Sequence, residues 1–209
     1  MQFNILTPKK SVQSCVDRPN LQAAFVLVLL PAFAAAAGTL LLGFSVNLTG
    51  FFLSLARSVI NWLFLCLVIY LVLYLVKGRF ISGKFKSIGS ALSLVWIVLI
   101  LLFVASFLLL PVFVSAPVME QGRLLQNGEI TQEQFAVAVN SIVEQNPDAL
   151  NENVGLVLAV VALLLALWMV YLVYLLVADL YQAGLFKNAI VTLFILAIWF
   201  FFVKYFYFR

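Results

Sequence analysis

The sequence predicts an all-α protein: a polytopic transmembrane helical bundle of five spanning helices, N-in and C-out, forming one membrane domain over residues 1–209. Two observations lead there. Hydrophobic residues make up 66% of the chain and charged residues 10%, whereas a soluble domain is about half apolar and a quarter charged. So few charges cannot cover a water-facing surface, and lipid is the natural solvent for most of the chain. The second observation is where charges are missing. No Asp, Glu, Lys or Arg falls between Arg18 and Arg57, Arg57 and Lys77, Lys86 and Glu120, Glu152 and Asp179, or Lys187 and Lys204. A helix needs roughly 20 apolar residues to cross the hydrocarbon core. The uncharged runs supply five such segments, at 21–44, 58–76, 90–113, 154–177 and 189–208. They are solidly apolar, as in LSLVWIVLILLFVASFLLL, with none of the alternation of a membrane β-barrel. Helices satisfy their own backbone hydrogen bonds away from water, which open strands cannot do.

The opening stretch, residues 1–20, lacks the apolar core and cleavage pattern of a signal peptide, so the first span is expected to direct insertion itself. Within it, LTPKKSVQSCVDRPN reads as a short helix. Thr7 stands at a capping position, Pro8 suits the first turn, and Pro19 sets an end near Arg18. Val12, Cys15 and Val16 share one face, while Lys9, Lys10, Gln13 and Asp17 share the other. A basic amphipathic helix just before a span is expected to lie in the membrane interface. Cys15 reads as a buried free thiol, with acylation as the alternative. Cys15 and Cys66, one before the first span and one deep in the second, suggest no disulfide.

In the first span, Pro31 marks a kink, and Ala34 and Gly38 form a small-xxx-small pair that lets another helix approach closely. Pro111 should bend or end the third span. Ahead of the second span, Asn47-Leu48-Thr49 matches a glycosylation sequon, too near the bilayer to be modified. Ser54, Arg57, Ser58 and Asn61 then share a helical face at spacings of three and four. Arg57 can snorkel to the boundary with Glu152 as a candidate partner, and Asp179 is matched to Lys77 or Arg79.

Orientation follows from the loops. KGRFISGKFK carries Lys77, Arg79, Lys84 and Lys86 without an acid, on the side of Lys9 and Lys10. The opposite loop, 116–153, holds Glu120, Glu129, Glu133, Glu144, Asp148 and Glu152 against Arg123. Short cationic loops stay in the cytoplasm, so the acidic loop is external. Within it, Asn127-Gly128 marks a turn. TQEQFAVAVNSIVEQ then reads as a short amphipathic helix, with Thr131 and Gln134 as a capping box and a stripe of Phe135, Val139, Ile142 and Val143. Trp199, Tyr205 and Tyr207 suit an interfacial belt.

Chemistry is sparse. The chain has no histidine, which excludes bis-histidine haem, imidazole zinc sites and a His-dependent triad. No span pairs two acids for a proton relay, and SGK at 82–84 and GSALS at 89–93 are too short for a phosphate loop. The expectation is a non-enzymatic protein with no cofactor, no bound metal and no nucleic-acid partner. Lys9, Lys10, Lys77, Arg79, Lys84 and Lys86 would contact anionic lipid or a cytoplasmic or membrane protein. The rival reading is a small transporter or channel, as a monomer or homo-oligomer, with its solute path along Ser54, Arg57, Ser58 and Asn61.

A family resemblance joins these features. Residues 6–30, LTPKKSVQSCVDRPNLQAAFVLVLL, set a Pro and basic residues before a short helix, a second Pro and the first span. This resembles the start of prokaryotic members of the YIP-domain (YIPF) family of five-span membrane proteins. The resemblance implies a cytoplasmic N-terminus, a short external C-terminus and residence in a prokaryotic plasma membrane. The family's eukaryotic branch is linked to Rab-type GTPases and membrane trafficking, and carries an Asp-Leu-Tyr-Gly-Pro type motif in a longer N-terminal region. Here Asp179-Leu180-Tyr181 lies between the fourth and fifth spans, so that role does not transfer.

Overall fold

The computed structural model describes residues 7–81 and 83–207, with the side chains of Arg79, Phe80, Phe206 and Tyr207 outside the description. The described chain is helical almost throughout. Five helices are long and apolar enough to cross a membrane, the build of a multi-pass membrane protein. They are α2 (Leu21–Leu41), α3 (Leu48–Lys77), α4 with α5 (Phe85–Leu92 and Leu94–Phe113), α8 (Glu152–Tyr181) and α9 (Leu185–Tyr207). Outside them stand α1 (Pro8–Asp17), α6 (Ala116–Gln126) and α7 (Gln132–Gln145).

Side-chain caps set several starts. Asn20 accepts from the Ala23 amide at 3.0 Å to open α2, and Asn151 accepts from Val154 at 3.3 Å to open α8. Asn47 accepts from the Thr49 amide at 3.0 Å, so α3 begins ten residues before the expected start at 58. At α1, Pro8 occupies the first turn but the Thr7 side chain makes no capping bond. The capping box of α7 is complete: Thr131 Oγ1 accepts from the Gln134 amide at 3.2 Å, and Gln134 Oε1 accepts from the Thr131 amide at 2.8 Å. Pro111 does not stop α5, which continues to Phe113.

With 30 residues each, α3 and α8 run about 45 Å, longer than the roughly 30 Å hydrocarbon core. Their ends therefore reach the headgroup layers or the helices tilt.

The packed core sits toward one end, the α1 end. Trp62, Leu65, Cys66, Ile69 and Leu73 of α3 meet Leu172, Val173, Leu176 and Val177 of α8 there. At the other end, α8 shows Leu156, Val160, Leu163, Leu164 and Leu167 outward, as a lipid-facing helix can.

That other end carries the α6–α7 hairpin. Its base is closed by the Val114–Leu150 bridge and by the Ser115 amide donating to the Ala149 carbonyl at 2.9 Å. From α6, Arg123 donates to the Leu42 carbonyl at 3.3 Å and Gln126 donates to the Ser45 carbonyl at 2.6 Å, so α6 holds the link between α2 and α3. Helix α6 lay in a stretch where only the Asn127-Gly128 turn was expected; its Pro117 sits in the first turn. Trp199, assigned to an interfacial belt, packs against the core instead, while Tyr205 is exposed.

Candidate functional site

At the α1 end the chain folds α1, α2, α3 and α8 around the short helix α4, which leads into α5. Helix α4 reads FKSIGSAL, and Ser87 through Leu92 are all buried. Its small residues admit neighbours closely: a Cβ on Gly89 would stand 3.1 Å from the Trp62 ring and 3.2 Å from Leu21. The Trp62 indole N–H donates to the Gly89 carbonyl at 3.1 Å, tying α3 to α4. The Ser93 hydroxyl donates to the Ser90 carbonyl at 2.8 Å where α4 gives way to α5, an instance of serine competing with helix geometry.

Helix α1 lies on this platform. Ser11, Val12, Cys15 and Val16 are buried, so the apolar face is covered by α4 and α8 rather than open to lipid as an interfacial helix would be. Two bonds hold its exit: the Ser87 hydroxyl donates to the Val16 carbonyl at 2.9 Å, and the Asn20 amide donates to Ser90 Oγ at 3.1 Å. Both serines are buried, and protein partners replace the water that the backbone groups would otherwise need. Cys15 is a buried free thiol; burial pushes it above the ordinary thiol range against an opposing pull from Ser90.

The cations gather around this dock. Lys9 and Lys10 project from the open face of α1, and Lys84 and Lys86 flank the start of α4, all exposed. The Arg79 side chain lies outside the described residues. Lys77 does not pair with Asp179. Its ammonium donates to the Leu180 carbonyl at 2.6 Å, meeting the negative end of the α8 dipole and one of that helix's terminal carbonyls. Helix α8 stops at once beyond this contact. Gln182 takes a left-handed conformation at φ 54°, and its amide side chain donates to the Asp179 carbonyl at 3.0 Å.

Two adjoining recesses open beside Asp179 and Gln182. One, of 330 Å³, is walled by Gln13 and Asp17 of α1, Lys77 of α3, and Lys84. The other, of 210 Å³, has Lys9, Val12, Leu175 and Ala178. Electrostatically, Asp179 faces Asp17, Lys84 and Lys9.

The polar face of α3 is divided by the packing. Arg57 is exposed, Ser54, Ser58 and Asn61 are half-buried, and of the four Ser54 lines a groove of 230 Å³ between α2 and α3. That groove is walled mainly by small residues including Ala32, Ala35 and Gly50. Glu152 lines a separate recess of 510 Å³ with Asp148 and Asn151 at the hairpin base.

Reading the sequence by type missed the serines of α4, because 89–93 was weighed only as a phosphate loop. Their spacing, Ser87, Ser90 and Ser93 on one helical face, was the available signal. Comparison of the chain with protein-family models, with curated proteins and with solved structures returns no match.

Proposed function

We propose that the chain is a non-enzymatic membrane protein of YIP type that organises membrane lipid or recruits a protein at its α1 end. In this reading the α1 end faces the cytoplasm of a prokaryotic cell, the hairpin is external, and the protein resides in the plasma membrane. The observation that carries the reading is the distribution of charge on the folded bundle. Lys9, Lys10, Lys84 and Lys86 are exposed together at one end, while Glu129, Glu133, Glu144 and Asp148 are exposed at the other. Such an asymmetry supports a cytoplasmic α1 end under the positive-inside rule. Each exposed cation near an anionic leaflet adds about 1 kcal/mol of attraction. The resemblance of residues 6–30 to the start of YIP-domain proteins supports the same assignment.

The test is crosslinking in native membranes followed by mass spectrometry, comparing wild type with a variant carrying Lys9, Lys10, Lys84 and Lys86 changed to Gln. Topology is verified in both by labelling single cysteines introduced at the exposed positions Leu185 and Glu133. A specific protein or anionic lipid that crosslinks to wild type and is lost from the variant supports the proposal. An identical set of crosslinks from both proteins would reduce the cations to a topology signal and overturn it.

A further inference from the structure

We infer that the paired recesses between α1 and α8 bind one phospholipid bearing a primary ammonium on its headgroup, of the phosphatidylethanolamine class. This deepens the lipid half of the proposed function and rests on the same end of the molecule.

Three features of the site select that chemistry. The first is sign. The walls offer both charges, Lys9 and Lys84 against Asp17 and Asp179, and among the described residues no ion pair joins them. Opposite charges held apart across open space suit a ligand that itself carries both signs. A phosphate takes the ammonium groups of Lys9 and Lys84, and the ligand's ammonium takes the carboxylates. An anionic lipid with no amine would leave two carboxylates facing it, which costs affinity through like-charge repulsion.

Depth is the second feature. Leu175, Ala178 and Asp179 form one stripe of α8, with Gln182 at its C-terminal cap. Leu175 lies four residues, about 6 Å along the helix, further into the span than Asp179. The second recess thus grades along α8 from Asp179 at the helix end to Leu175 within, with Lys9 and Val12 on its α1 wall, matching a headgroup above the start of acyl chains. A soluble zwitterion would use only the polar part.

Donor geometry is the third. A primary ammonium has three N–H donors, as a lysine does, for the carboxylates and the amide oxygens of Gln13 and Gln182. A trimethylammonium headgroup has none. Lys77 gives one of its three N–H donors to the Leu180 carbonyl and keeps its positive charge on the wall of the first recess.

Native mass spectrometry of the detergent-solubilised protein, titrated with phosphatidylethanolamine, phosphatidylcholine or phosphatidylglycerol of identical chains, tests this. Retention of one phosphatidylethanolamine with about tenfold preference over the other two is expected, the worth of a charged hydrogen bond. Free phosphoethanolamine should not displace it at matching concentration. Asp179→Asn, which leaves every exposed cation in place, should abolish the preference, whereas Lys86→Gln should not. Equal retention of the three lipids by wild type, a result that requires no variant, would overturn the inference. So would an undiminished preference in Asp179→Asn, or ready displacement by the soluble headgroup. If these occur while the native-membrane crosslinks still depend on the cations, the proposed function stands and this inference alone fails.

Discussion

Gly38 offers a stringent test of how α2 and α5 meet. It is buried in α2, and a Cβ built on it would fall on the ring of Phe107 from α5. Between membrane helices lipid competes equally for apolar contact, so close packing at small residues must hold the pair together. Two effects oppose each other in Gly38→Ala. Helix propensity favours alanine by about 1 kcal/mol. Forcing a methyl group into a filled site costs about 1–3 kcal/mol. The single variant is therefore a small difference between comparable terms. A double-mutant cycle with Phe107→Ala separates them, because the propensity gain occurs in both backgrounds and cancels. What remains is the steric term, a coupling of about 1–3 kcal/mol. In the Phe107→Ala background, Gly38→Ala should stabilise by about 0.5–1 kcal/mol. The assay is equilibrium unfolding of the four proteins in one detergent. A coupling under about 0.5 kcal/mol, the range of independent sites, would show that the ring does not cover Gly38 and would refute the packing argument.

Other expectations follow from the α1 dock and the hairpin. Ser87→Ala removes the buried partner of the Val16 carbonyl and should destabilise by about 1–3 kcal/mol, with faster amide exchange across α1; unchanged exchange would contradict the dock. The Cys15 thiol, raised by burial, holds less thiolate than a free thiol at any pH below its own value. Its alkylation by N-ethylmaleimide should be slow in folded protein, shifted to higher pH, and fast after denaturation; equal rates in both states would mean that α1 is undocked. Thr131→Ala should cost α7 about 1 kcal/mol of local stability, read as faster exchange there with the spans unaffected, because α7 buries no residue.

Much of this fold was legible because its signals are local. A run of apolar residues long enough to cross lipid forms a helix whatever it packs against, since its backbone has no other partner. Capping is also local, so Thr131 and Gln134 announced the start of α7, although the Asn47 cap was passed over as a sequon and the second span was bounded only from 58, inside a helix that starts at Leu48. The face of Val12, Cys15 and Val16 was visible as a periodicity, but not what covers it. The site was less legible. Its cations were named from composition, and Gln13 and Asp17 were placed on the polar face of α1 by periodicity, but nothing local set them opposite Asp179 and Gln182.

By itself, then, the sequence determined the solvent of the chain, the number of spans and the segregation of its charges. The tertiary structure alone decided that α1 is roofed by protein, that Gly38 receives a ring from α5, and that Lys77 seeks a carbonyl rather than a carboxylate. The physical reason is range. Hydropathy and capping act within a few residues of the chain, but Lys77 meets Leu180 only because the bundle brings two helix ends, 103 residues apart, to the same depth.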